Sequence, residues 1–397
     1  MSYKKLLLTL ILASSLLICG CMGGRELNTL AIAIAMGIDK VDNGYLITYQ
    51  VLNPKALASQ KQVNQAPTVL YQETGKDLFE TIRRFTTISP RKLYNSHLRI
   101  VVLGEDFAKE GIRDIVDFLY RDHEFRTDFF FVVTRGITAN KLLETITPIE
   151  SVTGMSIYDS IKAAEASWAP VKPVMITELI NTLISDGKNL TLTGISPIGT
   201  EIPSNSADAL LRTDSTKIKL SGTCIFKGDK LIGWLNEDES KGLSYITGDV
   251  KDTVGYVELG EKSTITFEVI NEKSKITVLT SGNSPSINVE INMKSNVAAE
   301  TGSIDISSEE NIKRLNQLVE EKITVYCNAT IKKAKEDLKS DIFGFGEEIH
   351  RTYPDYWKEI KKDWSNEYPN LPVSVSVKSE INGLGQNTKS VFSKGMD

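Results

Sequence analysis

The chain has 397 residues, 41% hydrophobic and 24% charged, a balance that excludes both an intrinsically disordered and a membrane-embedded protein. With 46 basic against 51 acidic side chains the net charge is −5, and no run or stripe of Lys and Arg stands out, which argues against nucleic-acid binding.

At the start, Lys4 and Lys5 form a positive segment, Leu6 to Ile18 an apolar run, and Ile18-Cys19-Gly20-Cys21 closes it. This is the pattern of a secretion signal, residues 1–20, ending in a lipobox. The apolar run is well short of the roughly twenty residues a spanning helix needs. Ile18 is bulky and β-branched where a signal peptidase takes a small residue, so cleavage is expected before Cys21, which then carries a diacylglyceryl thioether. Two acyl chains hold a protein stably on a bilayer where one does so only marginally. The body is therefore expected outside a membrane, tethered to it.

Leu30 to Ile38 and Tyr45 to Val51 read as antiparallel strands joined across Asp42-Asn43-Gly44, with Gly44 supplying the positive φ. The anchor thus enters folded structure almost at once, which predicts a first domain close to the membrane. Lys55 to Ala66 is polar and patternless, a loop or insertion. Thr74 and Asp77 make a capping box for a helix with Leu78, Phe79, Ile82 and Phe85 on its apolar face, ended by Ser89-Pro90. A strand over 98–103 closed by Gly104, a helix over 107–120 and a strand over 129–133 follow, then helices over 139–146, 156–167 and 174–186. Strands alternating with helices predict an α/β layer.

From Leu190 to Gly260 the chain reads mostly β, with a hairpin 218–226/231–235 and a short acidic helix over 236–245; Gly199 to Ala209 is the expected linker or exposed loop. Three half-buried strands are expected over 264–270, 275–280 and 286–293. Ser307 and Glu310 then make a capping box for the longest helix, whose apolar residues recur every three or four positions from Ile312 to Leu338. A helix over 356–364 and a strand alternating at Val373, Val375 and Val377 complete the chain. The expected fold class is α/β (α+β) in three domains, each a mixed or antiparallel sheet flanked by helices: 21–198, an N-terminal α/β domain; 199–260, a β-rich middle domain; and 261–397, an α+β domain with the long helix.

Chemistry is sparse. With only His97, His123 and His350, and no Gly-x-Ser-x-Gly elbow, His-Glu-x-x-His, Walker A or calcium loop, no catalytic residue, metal site or cofactor is assigned. Gly344-Phe345-Gly346 lacks the third glycine of a dinucleotide turn. Cys224 and Cys327 occupy ordinary core positions, remote from any Cys-x-x-Cys, and a disulfide between them stays open. Trp357 and Trp364, seven apart on one helix face, are the candidate partner contacts.

Gly20-Cys21, Arg25-Glu26-Leu27-Asn28, Gly75-Lys76-Asp77-Leu78-Phe79-Glu80, Ser89-Pro90-Arg91-Lys92-Leu93-Tyr94, Leu231-Ile232-Gly233-Trp234-Leu235 and Asp341-Ile342-Phe343-Gly344-Phe345-Gly346 follow one another in an order that resembles the C-subunit lipoproteins of bacterial spore germinant receptors. Met22-Gly23 stands where many members carry Trp-Asp. The resemblance implies a three-domain α/β fold and a non-enzymatic subunit. It also implies a place on the outer face of the cell membrane, the spore inner membrane, beside A- and B-type membrane subunits of a nutrient germinant receptor. A lipoprotein that binds an amino acid or sugar for a transporter-like system is the alternative function.

Overall fold

The computed structural model describes residues 26–58, 65–199, 216–260, 263–281, 284–302 and 308–383, with Tyr3, Lys4 and Leu7 near the start. Two sheets organise them.

The first sheet begins with the expected hairpin, β1 (Leu30–Val41) and β2 (Gly44–Leu52), turned at Asp42-Asn43 with Gly44 at φ +138°. β1 is central. β2 and then β3 (Thr68–Gly75) extend the sheet on one side, while β4 (Lys92–Tyr94) pairs in parallel with the first residues of β1. On the other side β5 (Ile100–Leu103), β6 (Phe130–Thr134) and β7 (Thr191–Ile198) run parallel to β1. β8 (Lys217–Lys227) and β9 (Lys230–Leu235) finish the sheet as an antiparallel pair. The order is β3-β2-β1-β5-β6-β7-β8-β9. Parallel strands covered on both faces read as continuous apolar runs, as Ile100 to Leu103 and Phe130 to Val133 do.

Helices Leu78–Arg84, Glu105–Glu110, Arg113–Arg121 and Ile176–Leu183 cover one face, and Ala139–Leu143 and Thr153–Ser167 the other. The second pair explains why β1 is rich in Ala and Gly. A Cβ on Gly37 would lie 3.0 Å from Leu143, and one on Gly154 would lie 2.7 Å from Ala35, so these helices press directly on the strand. A register shift between Ala33 and Ala35 changes parity along β1, putting Ala31, Ala33, Met36 and Ile38 in the same core.

The second sheet has the order β10-β11-β12-β13, from β10 (Thr253–Glu258), β11 (Thr264–Ser281), β12 (Ser284–Thr301) and β13 (Val373–Gly383). Helix Glu309–Lys332 lies across it, burying Leu315, Val319, Ile323, Cys327 and Ile331, one every fourth residue. The opposite face carries Glu290, Asn292, Lys294, Ser374, Ser376 and Lys378, all exposed, so this sheet is wet on one side.

The α/β class with helix-flanked sheets is what the structure has, in two sheets where three were expected. The 199–260 stretch forms no sheet of its own among the described residues: β8 and β9 join the first sheet, β10 the second. Other details differ. Thr74 sits in β3, and Asp77 alone caps its helix, accepting from the Glu80 amide at 2.8 Å. The helix expected over 107–120 is two, broken at Gly111 with φ +136°. The strands expected over 264–270 and 275–280 are one, β11. Ser308 caps the long helix through the Asn311 amide, and Ser307 lies outside the described residues. The helix expected over 356–364 divides into Pro354–Ile360 and Trp364–Glu367.

Candidate functional site: the sheet junction and the start of the central strand

Polar chemistry concentrates where the two sheets meet. Helix Glu237–Thr247 leaves β9 of the first sheet and enters the core of the second, opened by a full capping box between Asn236 and Glu239. It packs so closely on the long helix that a Cβ on Gly242 would strike Thr330 and the Tyr326 carbonyl. The Thr330 hydroxyl donates to the Glu239 carbonyl at 2.7 Å. The helix therefore rivets one sheet to the other.

A second joint lies at Asp341. Its backbone carbonyl accepts from the Asn189 amide at 2.7 Å, and the neighbouring Ser340 hydroxyl donates to the Phe226 carbonyl at 2.8 Å. Its buried side chain gathers the turn that follows: Oδ1 accepts from the amides of Phe343, Gly344 and Phe345, and Oδ2 from that of Gly346 at 2.8 Å and from the Trp364 indole at 3.3 Å. Gly344 takes φ +83°, the left-handed geometry the turn needs. Burial pushes the carboxyl up to about 6 even though four amides oppose it.

Gly346 then meets Gly187 of the first module backbone to backbone. A Cβ on Gly187 would lie 2.6 Å from the Gly346 carbonyl carbon, and one on Gly346 would lie 2.8 Å from both Trp357 and Trp364. Ser185 donates to Glu347 at 2.7 Å beside this contact, and Lys361 pairs with Asp186 at 3.3 Å.

This packing corrects the expectation for the tryptophans. Trp357 and Trp364 are 2% and 6% exposed, edge to face at 5.2 Å, and belong to the second core instead of facing a partner. They support the Asp341 turn from beneath. Asp341-Ile342-Phe343-Gly344-Phe345-Gly346 is the segment whose role was not legible: its useful signal was an Asp just ahead of two glycines, an acceptor for successive amides.

The histidines are dispersed. His97 lies edge-on to Tyr94, His123 is exposed beside Asp122, and exposed His350 stacks on Trp357. Cys224 and Cys327 are both free and buried. They occupy different cores, the Cys224 thiol donating to the Leu192 carbonyl at 3.1 Å, and burial pushes the Cys327 thiol up to about 12. Among the described residues no group of His, Cys, Asp and Glu is placed to hold a metal, and no helix is long and apolar enough to cross a membrane.

Ile18, Cys19, Gly20 and Cys21 lie outside the described residues. From Glu26 the chain makes one turn over Leu27–Thr29 and enters β1 at Leu30. Around Leu30 the short helix Pro54–Ala58, the start of β3 and the Ser89-Pro90-Arg91 turn together form a cleft at the sheet end.

Two helix-flanked modules, joined by a shared helix and a buried carboxylate turn, define a two-sheet α/β protein. The family described as "Spore germination protein N-terminal domain" matches residues 23–197, and that described as "Spore germination B3/GerAC like, C-terminal" matches residues 221–385. Among similar proteins, spore germination protein KC of Bacillus subtilis (strain 168) is 29% identical, the alignment covering 96% of each chain. Spore germination protein B3 of the same organism is 23% identical over 93% of this chain and 95% of that one. The crystal structure of the GerBC protein shares the fold with a TM-score of 0.54 and 20% identity, over 87% of this chain and 96% of that one. The chain belongs to the GerAC-like family of spore germination proteins.

Proposed function

We propose that this chain is the membrane-anchored C-type subunit of a nutrient germinant receptor, held by a diacylglyceryl group on Cys21 at the outer face of the spore inner membrane. There it acts without catalysis, by assembling with A- and B-type membrane subunits and coupling them. One observation carries the reading: only eight residues of sequence, 22–29, separate the lipobox cysteine from Leu30, where the central strand begins. A tether that short fixes a folded body at a bilayer instead of letting it roam. The family supplies the context of spore germination, and relatives named A3, B3 and KC point to receptors with several subunits.

The test is Cys21→Ala in sporulating cells. The variant is expected to leave the membrane fraction and to impair nutrient germination while chemical triggers that bypass receptors still work. Normal membrane retention with full nutrient response would sink the proposal.

A further inference from the structure

Several apolar side chains of the first module stay exposed, Phe79, Tyr120, Ile149 and Ile184 among them, but three others gather at the end where β1 begins. Leu57 is 49% exposed, Val69 42% and Ile88 44%. Leu57 lies on the short helix after β2, Val69 at the start of β3, and Ile88 just before the Ser89-Pro90-Arg91 turn. The cleft these elements line also contains Leu30, the first residue of the strand that the anchor enters. The same rim carries Lys55 and Arg91, both exposed and neither in an ion pair with a described carboxylate. Of the acids nearby, Glu124 is already engaged by Lys92 and Arg83, and Glu26 is exposed.

From this arrangement we infer that the anchor-end rim of the first sheet, Leu57, Val69 and Ile88 with Lys55 and Arg91, is a docking face for an anionic phospholipid surface. The inference rests on the lipidation proposed above for its geometry. Five residues of extended chain, from Cys21 to Glu26, reach at most about 17 Å, so an acylated Cys21 brings this rim to the headgroups. Apolar side chains entering the acyl boundary beside unpaired basic groups is the composition that binds anionic interfaces. The acyl chains supply retention. The rim fixes orientation, holding β1 steeply to the bilayer and lifting the second module to one side for the membrane subunits.

Two measurements test it. In the first, the acylated full-length mature protein is placed in phosphatidylglycerol vesicles and its amide exchange compared with the same protein in neutral detergent. Amides over 54–58, 68–71 and 88–92 are expected to slow at least fivefold, with the second module unchanged. In the second, the mature chain carrying Cys21→Ser is sedimented with phosphatidylglycerol or phosphatidylcholine vesicles. At least tenfold preference for the anionic vesicles is expected, abolished by Leu57→Glu with Ile88→Glu and weakened severalfold by Lys55→Glu with Arg91→Glu.

Mass spectrometry of Cys21 separates the two proposals. An unmodified Cys21 defeats the anchoring reading, and the sedimentation result alone then decides the docking face. An acylated Cys21 with no protection on phosphatidylglycerol defeats the docking face alone. Protection that appears only when the membrane subunits are added overturns it in favour of a protein interface.

Discussion

The two modules treat buried carboxylates in opposite ways. In the first, Asp39 at the end of β1 is satisfied: it accepts from the Ala139 amide at 2.7 Å and the Asn140 amide at 2.8 Å, pinning the start of a helix onto the strand. Burial still raises its carboxyl above the usual range. At the junction, Asp341 takes the same device further, with four amides and an indole. In the second module, Glu272 of β11 points into the core with neither oxygen in a normal hydrogen bond among the described residues. Burial, with Asp249 adding to it, pushes its carboxyl up to about 8, the Val250 amide offsetting only part. The difference shows that a carboxylate organises structure where backbone donors converge on it, and is held neutral where they do not.

The sharpest way to break this comparison is Asp341→Ala. Four amides and an indole would lose their acceptor together, and chemical denaturation is expected to show a loss of about 4 kcal/mol, with faster proteolysis over 184–190 and 341–347. A loss below about 1 kcal/mol would mean that the turn holds itself. Asp39→Ala frees only two amides, so a loss of about 2–3 kcal/mol is expected by the same measurement.

Glu272→Gln runs the other way. Because the folded-state pKa lies above the ordinary 4.5, the wild type keeps its proton on folding between pH 4.5 and 8 while the unfolded chain loses it. This contribution is fully present below pH 4.5 and is lost as pH rises towards 8. The glutamine variant is expected to be more stable at pH 8 by roughly 2 kcal/mol and to flatten the slope of stability against pH from 4.5 to 8. An unchanged slope would place the titration elsewhere. Smallest of all, Lys361→Ala removes an exposed ion pair with Asp186 and is expected to cost no more than about 0.5 kcal/mol, showing that the junction is held by its buried carboxylate and glycine contact.

Much of this was legible locally. Gly44 at the hairpin, the four-residue spacing under the long helix and the alternation of Ile287, Val289, Ile291 and Met293 all follow from period and turn chemistry, and each appears where expected. β3 was missed because Thr74 imitates a cap, while pairing with β2 claims it for a strand. The break at Gly111 was missed because apolar spacing runs through it. Its cause is distant: the Ile112 amide donates to the Asp229 carbonyl at 3.0 Å, and a Cβ on Gly111 would lie 2.6 Å from the Asp229 carboxylate. β11 was divided in two because its register shift between Val269 and Asn271 reverses the alternation and carries Glu272 inward.

By itself the sequence determined which segments are strands and helices, which face each buries, and the lipobox pattern at Cys21, because periodicity and capping act within a few residues. Tertiary structure alone decided that β8 and β9 complete the first sheet, that Trp357 and Trp364 are core, and that Asp341 and Gly187 meet across the junction. Those contacts join residues far apart along the chain, and a close approach of two glycines or a carboxylate under a turn leaves no repeating trace in the residues around it.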